Sequence, residues 1–541
     1  MPTLNLPFGG FPSTHATRVG VLMSLAIYSA PIHTRFPMKR LFPLLSLLVL
    51  ASVCPAKDKP NILWLITDNC NLDFGCFGRQ GVHTPHLDQL AVQGVRYNRV
   101  FSTAPVCAPS RSAFMTGMYQ TSVNLHHFPD HRNDGFRLPE GVRPLTHRLK
   151  DAGYLTGSIK KMGDQVVGSG KLDLNFVNEG KIFESTDWDK IKKGKPFFLQ
   201  VNTPEAEYDI YDFRTNRPER IKWWGEEEHI QYAKPDSVVP PAYFPRHKTS
   251  NEEWARYLNS VSNMDRRVGV VLKELEKEKL LDDTIIIVFG DNGRVDHRSI
   301  HWVYDTGLHV PMIIKWPKNF PMPEGFKPGT VNEEVISLLD LTATTLHLAG
   351  VPRPLGMQSR VFLGKNRDPQ RRYAFSARDR VDDVPFRLRS VRGKRYHYIR
   401  NYQPELNFGT YVNFYKEKCF PVQQVMRDLY KKGKLDPHLM PLFTDFRREY
   451  LFDTEADPDE LNNLIDSTHP AHQKALTEMR AALDTWVSAT GDMGWQKEPP
   501  EKIEKFRAVM YDWFGAPEWY PYKPKKASAL EDINRGRIIE D

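Results

Sequence analysis

Lys59–Asn69, KPNILWLITDN, is the stretch that decides the fold. Asn61–Thr67 is a short, nearly continuous apolar run that stops at Asp68 and Asn69. A strand wet on one face alternates apolar and polar residues, whereas a run this unbroken is covered on both faces, as parallel strands inside an α/β sheet are. Asp68 and Asn69 then stand in the loop at the strand's carboxyl end, where such sheets place ligand chemistry. Phe197–Val201 and Ile285–Phe289 read the same way, and the second runs into Gly290-Asp291-Asn292-Gly293.

Working outward, Trp254, Tyr257, Val261, Met264, Val268, Val271 and Leu275 recur at three- and four-residue spacing and predict a long helix with one buried face. Another helix is predicted from about His472 to Val487. Strands and helices in this order give an α/β domain with a large, mixed, mostly parallel central sheet. Past residue 366 the texture changes. Arg387–Arg400 is basic and aromatic with strand-like alternation, and Tyr450-Leu451-Phe452-Asp453 comes after it. The expected organisation is a catalytic domain over 57–365, a smaller α+β subdomain over 366–490, and a surface-wrapping tail over 491–541.

Residues 1–56 read as targeting. Met38-Lys39-Arg40 is a basic start, Leu41–Val53 an apolar run of signal-peptide length, and Ala56 a candidate cleavage residue. The stretch before Met38 reads as an over-extended start. The run is short for a membrane span, and Val53 before Cys54 argues against a lipid-anchored cysteine. The expectation is an exported protein, periplasmic or secreted, with no stable membrane anchor. The formal net charge is +8, and residues 1–56 hold Arg18, Arg35, Lys39 and Arg40 with no acid, leaving +4 for the rest. That excess suits an anionic substrate. It is too small, and too unaccompanied by a reading motif, for a nucleic-acid partner. Five cysteines, one of them Cys54, do not form a disulfide framework.

Cys107-Ala108-Pro109-Ser110-Arg111, followed by Met115-Thr116-Gly117, is the sharpest motif. It resembles the sulfatase signature C-x-P-S-R-x-x-x-[LM]-T-G at every specified position. The resemblance extends through Lys59–Leu63, Thr84-Pro85-His86-Leu87-Asp88 with Leu90-Ala91, Gly290–Gly293, Tyr304-Asp305-Thr306-Gly307 with Val310-Pro311, and Asp457–Glu460 with Asn463-Leu464. It covers roughly residues 59 to 465. It implies the alkaline-phosphatase-like α/β sandwich and a cysteine, Cys107, oxidised by a formylglycine-generating maturase to an aldehyde that hydrates to a gem-diol. It also implies a divalent cation, calcium first and magnesium second, held by Asp68, Asn69, Asp291 and Asn292.

The chemistry wants these residue types. A hard cation neutralises sulfate oxygens and lowers the pKa of an oxygen it binds, and carboxylate and amide oxygens are its preferred ligands. Arg111 lies one helical turn from Cys107 and, by the resemblance, orients it. Lysine is the family's sulfate clamp. Lys161 has the usual spacing after Gly153-Tyr154-Leu155-Thr156, but Lys171, in Gly170–Phe176, resembles the K-T-D-x-N-F of one bacterial group and is the preferred choice, with Asp173 in the usual histidine position. His126 and His127 match that same group, in which a histidine approaches the sulfate.

Three positions depart from the family pattern. Asn69 replaces a second metal-binding aspartate. Glu207 stands where a histidine normally protonates the leaving group, and could do so only with a raised pKa. Ile300 replaces a second sulfate-binding lysine, leaving Arg298 and His301 as candidates for that space. Two readings result. One is a hydrolase of sulfate esters (or N-sulfate) on a sulfated carbohydrate. The other is a catalytically impaired relative that binds sulfated glycans.

Overall fold

The structure, a computed structural model, describes residues 59–131, 135–177, 180–194, 196–206, 230–406 and 413–515. The predicted targeting segment and Glu207 lie outside the described residues.

Strand Asn61–Thr67 is buried at every position, and its alternation explains why. Ile62, Trp64 and Ile66 join one apolar cluster, with Phe114, Phe198 and Phe289. Leu63 and Leu65 join another, with Trp254, Val261, Met264 and Val268. Two apolar faces need two covering layers, which is the sandwich. One layer is the helix Lys248–Lys277. The other includes the helices Cys107–Thr116 and Asp340–Leu348.

The central sheet has eight strands. Asn61–Thr67 lies between Phe197–Thr203 and Thr284–Gly290, parallel to both. Leu155–Ile159 extends the sheet in parallel beyond Phe197–Thr203. On the other side His309–Lys315 runs antiparallel to Thr284–Gly290 and to Val95–Phe101, and Thr330–Asn332 and Ile336–Ser337 pair in parallel with Val95–Phe101. The register sets Thr67 opposite both Thr203 and Gly290. Three parallel strands therefore end level. Their polar carboxyl ends, marked by Asp68, Asn202 and Asp291, open onto one place.

A second, antiparallel sheet is built in the order Ala374–Val381, Val384–Arg392, Tyr396–Asn401, Glu449–Asp453. Helix Pro470–Thr490 covers one of its faces through Leu476, Met479 and Leu483. Its first strand is tied to the segment that leads into Cys107: Ala377 N–H donates to Thr103 O at 2.9 Å, and the Ser376 hydroxyl donates to Ser102 O at 2.5 Å. The expected helix and strands of this region are present. Beyond Gly491 the chain forms a second helix, Pro500–Phe514, in which Val509 and Met510 are buried. No helix among the described residues is long and apolar enough to cross a membrane.

Candidate active site

Cys107 is the first residue of the helix Cys107–Thr116, and the extended residue before it, Val106, makes no side-chain cap. The helix therefore presents unsatisfied N–H groups and the positive end of its dipole around Cys107. The site needs that charge, because it is acidic beneath. Asp68, Asp291 and Cys107 offer ligand atoms within 4.8 Å of one another, all buried.

Arg111, one turn along, bridges the two acids. Its Nη2 donates to Asp68 Oδ1 at 2.8 Å and its Nε to Asp291 Oδ2 at 2.8 Å. Burial opposes the guanidinium's charge, but Asp291 and Asp68 overcome it and hold the side chain protonated. Burial, and then the neighbouring Asp68 carboxylate, push Asp291 up to about 7. Two carboxylates this close out of water call for more positive charge than Arg111 alone provides. Lys171 supplies part of it: its Nζ donates to Asp68 Oδ2 at 3.0 Å and stands 3.4 Å from Cys107 Sγ.

The amides complete the floor. Asn292 Nδ2 donates to Asn69 Oδ1 at 2.7 Å, and Asn69 Oδ1 is 3.9 Å from Cys107 Sγ. Asn292 Oδ1 is buried with no hydrogen-bond partner among the described residues. A buried oxygen acceptor without a donor, beside two carboxylates and a second amide, is a donor set for a hard cation. These residues fit a calcium or magnesium ion, to which Asp68, Asp291 and the amide oxygens of Asn69 and Asn292 would be the ligands.

Backbone conformation is unusual at Asn69 and at two further candidate residues. Asn69, Asp173 and His301 lie in the left-handed region, with φ of 54°, 48° and 74°. Asparagine, aspartate and histidine are the residue types that tolerate this region best. The glycines of Gly290–Gly293 and Tyr304–Gly307 answer to close approach. A Cβ on Gly293 would stand 2.1 Å from Thr306 O, and one on Gly307 would stand 2.0 Å from Trp302 O.

The structure brings Lys171, and not the exposed Lys161, to Cys107. His301 is close by: its N–H donates to Pro105 O at 2.8 Å, and its Nδ1 meets Asn413 Nδ2 at 3.1 Å. His126 and His127 are buried with ring centroids 4.2 Å apart. Burial drives His127 well below the usual histidine range, helped by His126 and Arg380. The Arg298 guanidinium donates to Asp459 O and Glu460 O at 2.7 Å each and lies 3.8 Å from the Tyr304 ring, which joins two loops. Ile300 packs in the core cluster beside Val295 and Trp302.

Two residues at the site were not singled out from sequence. Asn202, at the end of its buried strand, accepts from Arg111 Nη2 and donates to Asp68 Oδ2 at 3.1 Å. The rule that selected Asp68 and Asp291, a polar residue ending a buried strand, would have found it. Asn175 donates through Nδ2 to Leu125 O at 3.0 Å and His127 O at 2.6 Å, while its N–H donates to the Ser112 hydroxyl at 2.9 Å. It pins the Lys171 loop to the histidine loop and to the Cys107 helix. The Gly170–Phe176 resemblance includes Asn175, but nothing local tells which distant groups it binds.

An acid-and-amide pocket thus lies at the carboxyl ends of parallel strands, beside a helix N-terminus that carries a cysteine. The sulfatase family model matches residues 60–351, and the model for the C-terminal part of N-sulphoglucosamine sulphohydrolase matches residues 290–413. The chain belongs to the sulfatase family, and so to the sulfuric ester hydrolases. An ulvan-active sulfatase of Formosa agariphila is 32% identical over 467 residues, covering 80% of this chain and 76% of the relative. Human N-sulphoglucosamine sulphohydrolase is 26% identical over 510 residues, covering 85% and 96%. A solved 2-O GAG sulfatase superposes with a TM-score of 0.54 at 20% identity, over 82% of this chain and 96% of that one.

Proposed function

We propose that this chain hydrolyses sulfate esters, or N-sulfate, on a sulfated carbohydrate, through a formylglycine formed from Cys107. The observation that carries this is the convergence of Lys171, Arg111, Asp68 and Asp291 on Cys107. The carbohydrate is supported by relatives active on ulvan and by the N-sulphoglucosamine sulphohydrolase. The reading includes export, maturation by a formylglycine-generating enzyme and calcium as the preferred cation.

Lys171 clamps sulfuryl oxygens beside the nucleophile, and the helix N-terminus adds N–H groups to the same charge. Arg111 fixes the metal-site acids relative to residue 107. By the resemblance to the sulfatases, His126, His127 and His301 would meet the substrate, and Asp68, Asn69, Asp291 and Asn292 would hold the cation. That cation would supply Lewis acidity toward the sulfate. The formylglycine, hydrated to a gem-diol, would supply the attacking hydroxyl. The bond that breaks is the one from sulfur to the sugar oxygen, or to nitrogen in an N-sulfate, and the proton given up by the attacking hydroxyl leaves with the alcohol or amine. Sulfate would depart as the aldehyde re-forms, and water would hydrate it again.

A second reading, a glycan-binding protein of low turnover, is favoured by Asn69 in place of an aspartate and by Ile300 within the core. Peptide mass spectrometry over Ser102–Arg111, on protein from the native host or co-expressed with a maturase, decides between them. Conversion of Cys107, together with sulfate release from a sulfated polysaccharide, is the expected result. An unmodified Cys107 in native protein would establish the binding reading instead.

A further inference from the structure

The chain between Asp492 and Phe506 contributes no group to the Cys107 pocket, yet it closes against the His126–His127 pair. The link is Arg380, on the strand Ala374–Val381. Its backbone N–H donates to His127 Nδ1 at 3.2 Å. Its guanidinium donates to Phe128 O at 2.8 Å and to Pro129 O at 2.9 Å, and its Nε donates to Glu498 Oε2 at 2.6 Å. That same carboxylate oxygen is 3.4 Å from His127 Nδ1. Lys502, one turn further, lies 3.7 Å from Glu498 Oε1 and pairs with Asp130. The Phe506 ring covers the Arg380 guanidinium at 4.1 Å. Side-chain exposures of 1% for Arg380, 7% for Glu498 and 10% for His127 place the group out of water.

A ring nitrogen that accepts a backbone N–H cannot also carry the ring's proton. In the neutral imidazole that proton sits on the other nitrogen, Nε2. An unshielded carboxylate near Nδ1 would draw a proton onto it and turn the acceptor into a donor. Here Arg380 Nε and Lys502 take up the charge of Glu498, and the Arg380 N–H keeps its acceptor. The two side chains thus work as a unit: Glu498 anchors Arg380, and Arg380 holds both the turn after His127 and the ring itself.

We propose that Glu498 is a positioning residue, which through Arg380 fixes His127 in the tautomer with its proton on Nε2, presented as a donor to the substrate's sulfuryl group. The proposal rests on the reading of His127 as a residue facing the sulfate. Its test uses the full chain bearing formylglycine. The variants are Glu498→Ala, Glu498→Gln, His127→Ala and the double variant Glu498→Ala/His127→Ala, assayed on a sulfated polysaccharide that the wild type desulfates. Glu498→Ala should lower kcat about 10- to 100-fold, the usual range for an outer partner of a functional histidine, with KM nearly unchanged. Glu498→Gln, which still accepts from Arg380 Nε, should recover much of the loss. In the His127→Ala background, Glu498→Ala should cost nothing further. An equal loss with and without His127 would show a merely structural role and overturn the proposal.

Histidine-selective 15N NMR gives a readout independent of turnover. The His127 signal, assigned by its absence in His127→Ala, should show a bare Nδ1 and a protonated Nε2 in the wild type, and a changed tautomer balance in Glu498→Ala. A protonated Nδ1 in the wild type, or a signal indifferent to Glu498→Ala, would refute the positioning role even in a protein that releases no sulfate. Failure of turnover in the wild type, by contrast, bears only on the functional reading.

Discussion

At the residue scale the site is a problem of charge. Asp68 and Asp291 face Arg111 and Lys171 in a space closed to water. Two carboxylates and two cations balance on paper, but Lys171 and the helix N-terminus also have a substrate anion to serve. If, as proposed, sulfate takes Lys171, the acids would need another partner, and the orphan Asn292 Oδ1 is where an oxygen-loving cation would complete the set. Asp291→Asn keeps the shape and removes one charge. The expected outcome is a fall from about one cation per chain to well under half, since a hard cation in a small oxygen site depends on its charged ligands. Elemental analysis of dialysed protein reads this directly, and the rise in melting temperature on adding calcium should vanish with it. Retention of stoichiometric metal by Asp291→Asn would remove Asp291 from the ligand set. The strand ends were legible in the sequence, as apolar runs that stop at Asp68 and at Asp291, and the resemblance around Cys107 is what marked the polar residues there as candidate metal ligands. For Arg298 the sequence shows a cation near a motif but not the two carbonyls, Asp459 O and Glu460 O, to which it donates.

At the element scale, the loop carrying Lys171 is not part of the sheet and has to be held. Asn175 holds it, with Nδ2 shared between Leu125 O and His127 O and Oδ1 accepting the Asp130 N–H at 3.3 Å. Asn175→Ala leaves these buried groups unpaired, at a cost of about 1–3 kcal/mol each where no water reaches them. The expected outcome is a lower urea midpoint with an unchanged slope, and a loss in kcat/KM larger than the loss in stability would produce at a working temperature where the variant stays folded. Ser112→Ala, which removes only the acceptor of the Asn175 N–H, should show a milder form of both. An Asn175→Ala protein with wild-type midpoint and kinetics would mean that the loop is held by other contacts. The contrast between strands and loops also explains what could be read in advance. Asn61–Thr67, Phe197–Thr203 and Thr284–Gly290 were visible as apolar runs, and the helix Lys248–Lys277 as a period. The contacts that make Asn175 a pin were not, because a single asparagine has no period and the residues it ties together lie 45 to 63 residues away.

At the scale of the whole molecule, the small antiparallel sheet is joined to the large one by a buried ionic cluster. Arg392 grips Asp305 with Nη2 at 2.8 Å from Oδ2 and Nε at 2.9 Å from Oδ1. The Asp305 N–H donates to Glu460 Oε2 at 2.7 Å, and Glu460 Oε1 meets His397 Nδ1 at 2.5 Å. Asp305 opens the short helix that precedes the strand His309–Lys315, while Arg392 and His397 belong to the second sheet. Sequence displayed the family segments around Asp305 and Glu460 but not the arginine that unites them. Burial opposes the charge of Asp305, yet Arg392 wins and holds its carboxyl far below the ordinary carboxylate range. A carboxylate depressed in the folded state contributes stability that is complete above its unfolded pKa, about 4, and is lost as pH falls toward the folded value. Asp305 is therefore expected to leave stability flat from neutral pH to about 5 and to give it up only in strong acid. Arg392→Met removes the partner and leaves a buried carboxylate, which should cost about 3–5 kcal/mol at neutral pH. Without the arginine, burial pushes the Asp305 pKa above its unfolded value, and the sign reverses: the variant should gain stability as pH falls from 7 toward 5 while the wild type does not. Thermal denaturation of both proteins across that window measures the difference. Parallel curves would show that Arg392 acts through packing, and that the charge on Asp305 is balanced elsewhere.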